Sequence, residues 1–147
     1  MAKIKRQELE ELHQAITRCE NLQGEKFSYA LLKNQKKLVP EIKKIYEYAS
    51  KIRPEQTPEI ISYVTKTDEI KSGKTVKNEE GIDLSFEDLE SLYPEESTTV
   101  KTFDTKMRKY LDTDVEIDFY TISQKDISSQ ITLAQRRGID ILLEDVE

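Results

Sequence analysis

The chain has 147 residues, of which 35% are charged and 36% hydrophobic, with 7 Tyr, 4 Phe and no Trp; its mass is 17.2 kDa and its mean hydropathy −0.69. That length fits a single domain, 1–147, with a modest core, and its short apolar runs, broken by Lys or Glu, fall well below the roughly 20 apolar residues of a membrane span. No basic-then-apolar leader precedes them, and the lone Cys19 has no internal disulfide partner. The expectation is a cytoplasmic protein with no membrane association rather than a stapled secreted scaffold.

Net charge is −6, but its distribution is uneven. Residues 25–53 hold eight basic against three acidic side chains, a local charge of +5, whereas residues 79–104 hold nine acids against Lys101 alone, a local charge of −8. A partner or ligand would feel the two stretches separately, and the plainest reading is that one lies over the other.

Residues 2–6 read as a terminal edge strand with Ile4 facing inward. Leu9, Leu12, Ile16 and Cys19 recur at helical spacing, giving a helix at about 7–20 that Gly24 ends. From Phe27, the positions Leu31, Leu38, Ile42, Ile45, Ala49 and Ile52 project onto one stripe of a second, longer helix. Pro40 interrupts it, and a kink is expected there rather than a break. The two helices form a hairpin over 7–53, since a short link between long helices makes antiparallel neighbours.

Residues 54–97 read as an irregular acidic insertion. Thr57-Pro58-Glu59 carries the signals of a helix start, so Ile60, Ile61 and Val64 belong to a short helix. Thr65 to Gly81 reads as an exposed loop or mobile insertion. Ser85 caps another short helix that buries Phe86, Leu89 and Tyr93 and ends near Pro94. Residues 98–147 read as helix, strand, helix. Val100, Phe103, Met107, Tyr110 and Leu111 give a helix at 98–111. Val115, Ile117 and Phe119 alternate with acids in a half-buried strand at 115–122. Thr132 with Gln135 caps a last helix containing Leu133, Ile139, Ile141 and Leu142, weakened by Gly138. The class is helix-rich α+β: an N-terminal helical hairpin, an irregular acidic middle, and a C-terminal helix-strand-helix with a small sheet. The strand's partner is the N-terminus, the 66–84 region or another copy of the chain.

Few residue sets carry chemistry. Asp112, Asp114, Glu116 and Asp118 recur every second residue, and the last three are candidate metal ligands. The calcium-loop pattern fails because Ile117 stands where glycine is required and Ser123 where glutamate is, so a solvated strand face is the first reading. Ser72-Gly73-Lys74-Thr75 lacks the glycine that a phosphate loop needs at Asp68, and reads as a turn. His13 and Cys19, six apart on one helix, point to different faces and make no nucleophile and base pair.

The feature with most chemical content is the face of the second helix opposite its apolar stripe, carrying Lys33, Lys36, Lys37 and Lys44 with Tyr29. Charged faces of amphipathic helices are usually solvated. The functional alternative is a contact surface for a protein partner or a small anionic ligand. Nucleic acid is less favoured, because lysine rather than arginine dominates and the whole chain is acidic.

The order of Gly-Glu-Lys-Phe-Ser-Tyr-Ala-Leu-Leu-Lys-Asn (24–34), then Glu-Ile-Lys-Lys-Ile within 38–46, then Lys-Tyr-Leu-Asp-Thr-Asp-Val-Glu-Ile-Asp-Phe (109–119) and Ile-Thr-Leu-Ala-Gln (131–135) resembles small uncharacterised proteins encoded by tailed bacteriophages and prophages. The likeness covers both ends of the chain and not 54–97; Pro40 and the longer middle depart from it. It implies a phage origin, and with it the host cell cytoplasm, and supplies no catalytic residue or cofactor. The expected function is therefore a non-catalytic, phage-type interaction protein that blocks or sequesters a host or phage component, as in counter-defence or host takeover. One alternative is an accessory subunit of virion assembly, self-associating as a homo-oligomer through exposed residues such as Val39 and Tyr46. A third is a metal-dependent enzyme using the 112–118 acids.

Overall fold

The alternating segment that begins at Asp114 finds its partner at the N-terminus. In the computed structural model, which describes residues 1–144, strand β1 (Ala2–Lys5) pairs antiparallel with β2 (Asp114–Ile117). The register sets Ile4 opposite Val115 and Ala2 opposite Ile117 on the inner face, and Lys3 opposite Glu116 and Lys5 opposite Asp114 on the outer one. Period-two side-chain alternation makes this a one-sided ribbon: Ile4 and Ile117 are buried while the charged pairs face water. The strand is shorter than expected and stops at Ile117, although Phe119 and Ile122 remain buried beyond it.

Between the strands run α1 (Leu9–Arg18), α2 (Glu25–Ile52), α3 (Pro58–Lys71), α4 (Phe86–Leu92) and α5 (Pro94–Leu111), and α6 (Leu133–Gly138) follows β2. The chain is thus helix-rich α+β, with six α-helices and a two-stranded sheet among the described residues. No helix there is long and apolar enough to cross a membrane. It forms two compact units: residues 1–50 with 109–144, and Lys51–Arg108.

In the first unit, Leu9, Ile16, Phe27, Leu38, Ile122, Ile139 and Leu142 are wholly buried. Each such side chain contributes about 1.5–3 kcal/mol relative to exposure. Gly24 does not end α1, which stops at Arg18; it starts α2 instead, its carbonyl accepting from Ser28 at 2.9 Å. Its φ of +132° is a backbone region where a side chain would be strained. Helix α2 runs unbroken through Pro40. The missing amide leaves the Lys36 carbonyl without its helical donor, and both residues lie on the exposed side, where water can replace it. The last helix is shorter than its apolar pattern suggested. It is capped as expected by Thr132 and Gln135 in a reciprocal box, but a 3-10 turn (Asp140–Leu142) delivers Leu142 to the core, and Leu133 is exposed.

In the second unit, Ile60, Tyr63, Val76 and Leu89 are buried. Two expectations change there. Helix α3 continues to Lys71, because the half-buried Val64, Thr67 and Ile70 extend the stripe of the buried Ile60 and Tyr63. The Thr67 hydroxyl donates to the Val64 carbonyl at 2.9 Å. The stretch after α3 is mostly exposed loop, as expected, with a turn at Ser72 and Gly73, and the Asn78 side chain accepts from the amides of Glu80 and Ile82, each at 2.9 Å. Finally, α5 begins at Pro94, four residues early, because proline suits a first helical position as well as it ends the preceding helix. Ser85 and Asp88 cap α4 reciprocally and Leu89 is buried as expected, but Phe86 is exposed.

Gly138 permits the close approach of α6 to α1: a Cβ there would sit 2.9 Å from the Ala15 Cβ. Gly138→Ala should therefore destabilise the protein by about 1–3 kcal/mol, although alanine favours a helix, because overpacking against a buried alanine outweighs propensity. Urea unfolding measures it; a stabilised variant would remove the close-packing role.

Candidate interaction surface

The surface begins with a polar residue on the apolar side of α2. Asn34 is wholly buried beside Leu31 and Leu38. Its amide nitrogen donates to the Tyr120 carbonyl and its oxygen accepts from the Tyr120 amide, both at 2.8 Å. A side-chain amide presents a donor and an acceptor side by side, as a neighbouring strand would, so Asn34 completes the pairing of a segment that β1 does not reach. This is also why burial continues at Phe119 and Ile122 after β2 has ended.

Fixing the Tyr120 backbone fixes the point from which its ring projects. Tyr29, nearly a turn and a half before Asn34 on α2, meets Tyr120 edge to face, with ring centroids 5.7 Å apart and planes at 86°. The two rings are about half exposed, at 50% and 45%. The Lys33 ammonium lies 5.4 Å from the Tyr29 centroid, in cation–π range. Beside the tyrosines opens a cavity of about 520 Å³, lined also by Glu25, Lys26, Thr121, Asp126 and Glu144. Three carboxylates against one lysine make it an unfavourable seat for a small anion.

The five residues of the basic face thus divide. Tyr29 and Lys33 sit together in the aromatic cluster, and Lys36 is exposed and makes no ion pair among the described residues. Lys37 instead donates to the Asp118 backbone carbonyl, and Lys44 lies 3.0 Å from Glu41 one turn away. Asp114 and Glu116 face Lys5 and Lys3 across the ribbon, while Lys5 reaches Asp112 at 2.7 Å. Asp118 contributes its backbone to Lys37. No group of three or more His, Cys, Asp or Glu side chains among the described residues is arranged to hold a metal ion.

Sequence reasoning missed Tyr120 and Asn34. The available signal was an asparagine inside an apolar stripe, where a buried amide demands a partner. It also missed a cluster in the second unit: the Tyr93 hydroxyl lies 3.0 Å from both the Ser62 hydroxyl and the Lys66 ammonium, and Lys66 sits 5.3 Å from the ring centroid. Ser62 and Lys66 are one turn apart on α3, so this cluster ties α3 to the end of α4. Burial pushes the Cys19 thiol up, which keeps it protonated at neutral pH. Searches of protein-family models, curated proteins and solved structures find nothing that matches this chain.

Two expectations follow from the geometry. Asn34→Leu leaves the Tyr120 amide and carbonyl without partners and should cost about 2–5 kcal/mol, one buried donor and one acceptor together; a loss below ~1 kcal/mol by urea unfolding would show that water replaces the amide. The tyrosines should titrate unevenly. The hydrogen bonds from Lys66 and Ser62 lower the Tyr93 hydroxyl, whereas the hydrogen bond to the Glu10 carboxylate raises Tyr46. Linkage then favours the fold through Tyr93 only above the ordinary tyrosine range, fading as pH falls through its lowered value. Through Tyr46 it favours the fold below that range, fading as pH rises past the raised value. Tyrosinate absorbance should lose its earliest phase in Tyr93→Phe and its latest in Tyr46→Phe; an unchanged curve in both would contradict these contacts.

Proposed function

We propose that the chain is a non-catalytic interaction protein of phage type that grips a host or phage protein with the Tyr29–Lys33–Tyr120 surface, blocking or sequestering it in the host cytoplasm. One observation carries this reading: two half-exposed tyrosine rings meet at right angles where a buried asparagine anchors the Tyr120 backbone. Tyrosine offers a large amphipathic contact at low entropic cost, and rigid placement lowers that cost further. A protein partner suits the surface better than a small anion, because the adjoining cavity is rich in carboxylates while Lys33 and Lys36 stand outside it. A metal-dependent enzyme has less to rest on, since Asp114 and Glu116 face lysines and Asp118 is engaged through its backbone.

Native mass spectrometry of the protein purified from a bacterial host tests the proposal. The wild type should retain a protein at fixed stoichiometry, and Tyr29→Ala with Lys33→Glu should reduce its occupancy at least ~10-fold, as loss of a central anchor does, with unchanged helical circular dichroism. Equal retention by the variant would dismiss this surface, and a wild type that retains no partner would dismiss the binding reading.

A further inference from the structure

We propose that the face of α2 carrying Leu32, Val39 and Tyr46 is a two-fold interface with a second copy of this chain, the two α2 helices running parallel and Lys43 of each copy meeting Glu10 of the other. This goes beyond the proposed partner surface and does not rest on it.

Helix α2 carries two apolar stripes, and the fold uses one. Phe27, Leu31, Leu38 and Ile45 are buried in the first unit's own core. Leu32, Val39 and Tyr46, seven residues apart, are left 50%, 51% and 59% exposed. Gln35, Ile42 and Ala49 fall between them at steps of three and four and are half-buried. This alternation is the spacing of a coiled-coil seam, in which exposed knobs at one position and flatter residues at the other await a facing helix. Within the chain it is excess to the core.

The flanks of the seam identify its occupant. On one side lies α1: Glu10, His13 and Gln14 border Val39, Ile42 and Tyr46, and Glu20 borders Leu32 and Gln35. Lys36 and Lys43 stand on the other side, at the next positions around α2. The α1 flank is acidic at Glu10 and Glu20, and the opposite flank carries Lys36 and Lys43 with Glu47 one turn beyond Lys43, the opposed charges a self-complementary surface requires. Rotation about a two-fold axis parallel to α2 brings the acidic flank of one copy against the basic flank of the next. An axis perpendicular to α2 sets lysines against lysines and α1 acids against α1 acids. Charge thus selects the parallel arrangement. Glu10 borders Val39, Ile42 and Tyr46, so the lysine at its height is Lys43. The Tyr46 hydroxyl engages one Glu10 oxygen, leaving the second for Lys43 of the partner subunit.

Sedimentation equilibrium of the full chain should show a reversible dimer at or below roughly 100 μM, the range of weak specific association. Val39→Glu, at an exposed position, should leave circular dichroism unchanged and make the chain monomeric. Lys43→Glu should weaken dimerisation about 10-fold, as a close charge pair does, and Glu10→Lys combined with Lys43→Glu should recover most of that loss. A chain monomeric throughout the range, or a dimer indifferent to Val39→Glu, would overturn the interface. A dimer disrupted by Val39→Glu but not rescued by the double exchange would overturn the parallel arrangement.

Discussion

The C-terminal half of the first unit depends on one buried amide. Strand β1 supplies only four rungs of pairing, and past the Ala2–Ile117 rung the chain must still carry Phe119 and Ile122 into the core. A backbone entering an apolar interior with unmade hydrogen bonds is costly. Asn34 removes that cost at Tyr120, in a direction no aliphatic side chain on α2 could serve. The same contact sets where Tyr120 projects, so the core's polar requirement and the geometry of the tyrosine pair are one constraint. The short bridge from Ile122 to Leu143 then continues the work, with Ile122 exchanging hydrogen bonds of 2.7 and 2.9 Å with Leu142 and Glu144.

Charge in this chain serves geometry more than chemistry. The acids of β2 looked like a ligand set because they recur every second residue, yet that spacing places them on the face where β1 carries Lys3 and Lys5. Opposite charges on directly facing positions stabilise a ribbon by a few tenths to about 1 kcal/mol per pair, and like charges there would oppose it. The stripe on α2 divides in the same way. Lys37 is drawn to a backbone carbonyl and Lys44 to Glu41, so of these four lysines Lys33 and Lys36, beside Tyr29, are left to offer cations outward. Linear spacing shows which residues share a face; it does not show which of them a neighbouring segment has already engaged.

That limit explains what could be read from sequence. The hairpin helices, the capping boxes at Ser85 and Thr132, the inward Ile4 and the strand at Val115 follow from local chemistry, with each signal lying within a few residues of its effect. The length of α3 was hidden because Thr67 is counted as polar although its hydroxyl satisfies itself on the Val64 carbonyl and the residue is half-buried. The end of β2 was hidden because it depends on how many residues β1 offers. The tyrosine surface was half legible: Tyr29 stands on the basic face, but Tyr120 reaches it through a contact 86 residues apart in sequence, which no local pattern encodes.

Helix α2 has three faces, and its proline reveals how they are allotted. Projected at 100° per residue, the core stripe runs through Leu31 and Leu38, the exposed apolar seam through Leu32 and Val39, and the basic face through Lys33, Lys36 and Pro40. Only the basic face can take a residue without an amide, because a carbonyl orphaned there is still hydrated; the same proline one step back, at Val39, would unsatisfy a carbonyl beneath an apolar seam. A helix serving solely as a core support needs one apolar stripe and can be polar elsewhere. Joining an exposed apolar seam to the core stripe through the half-buried Ile42 and Ala49, with the chain-breaking residue confined to the hydrated face, is the pattern expected of a helix that holds its own unit together on one side and meets another surface on the second.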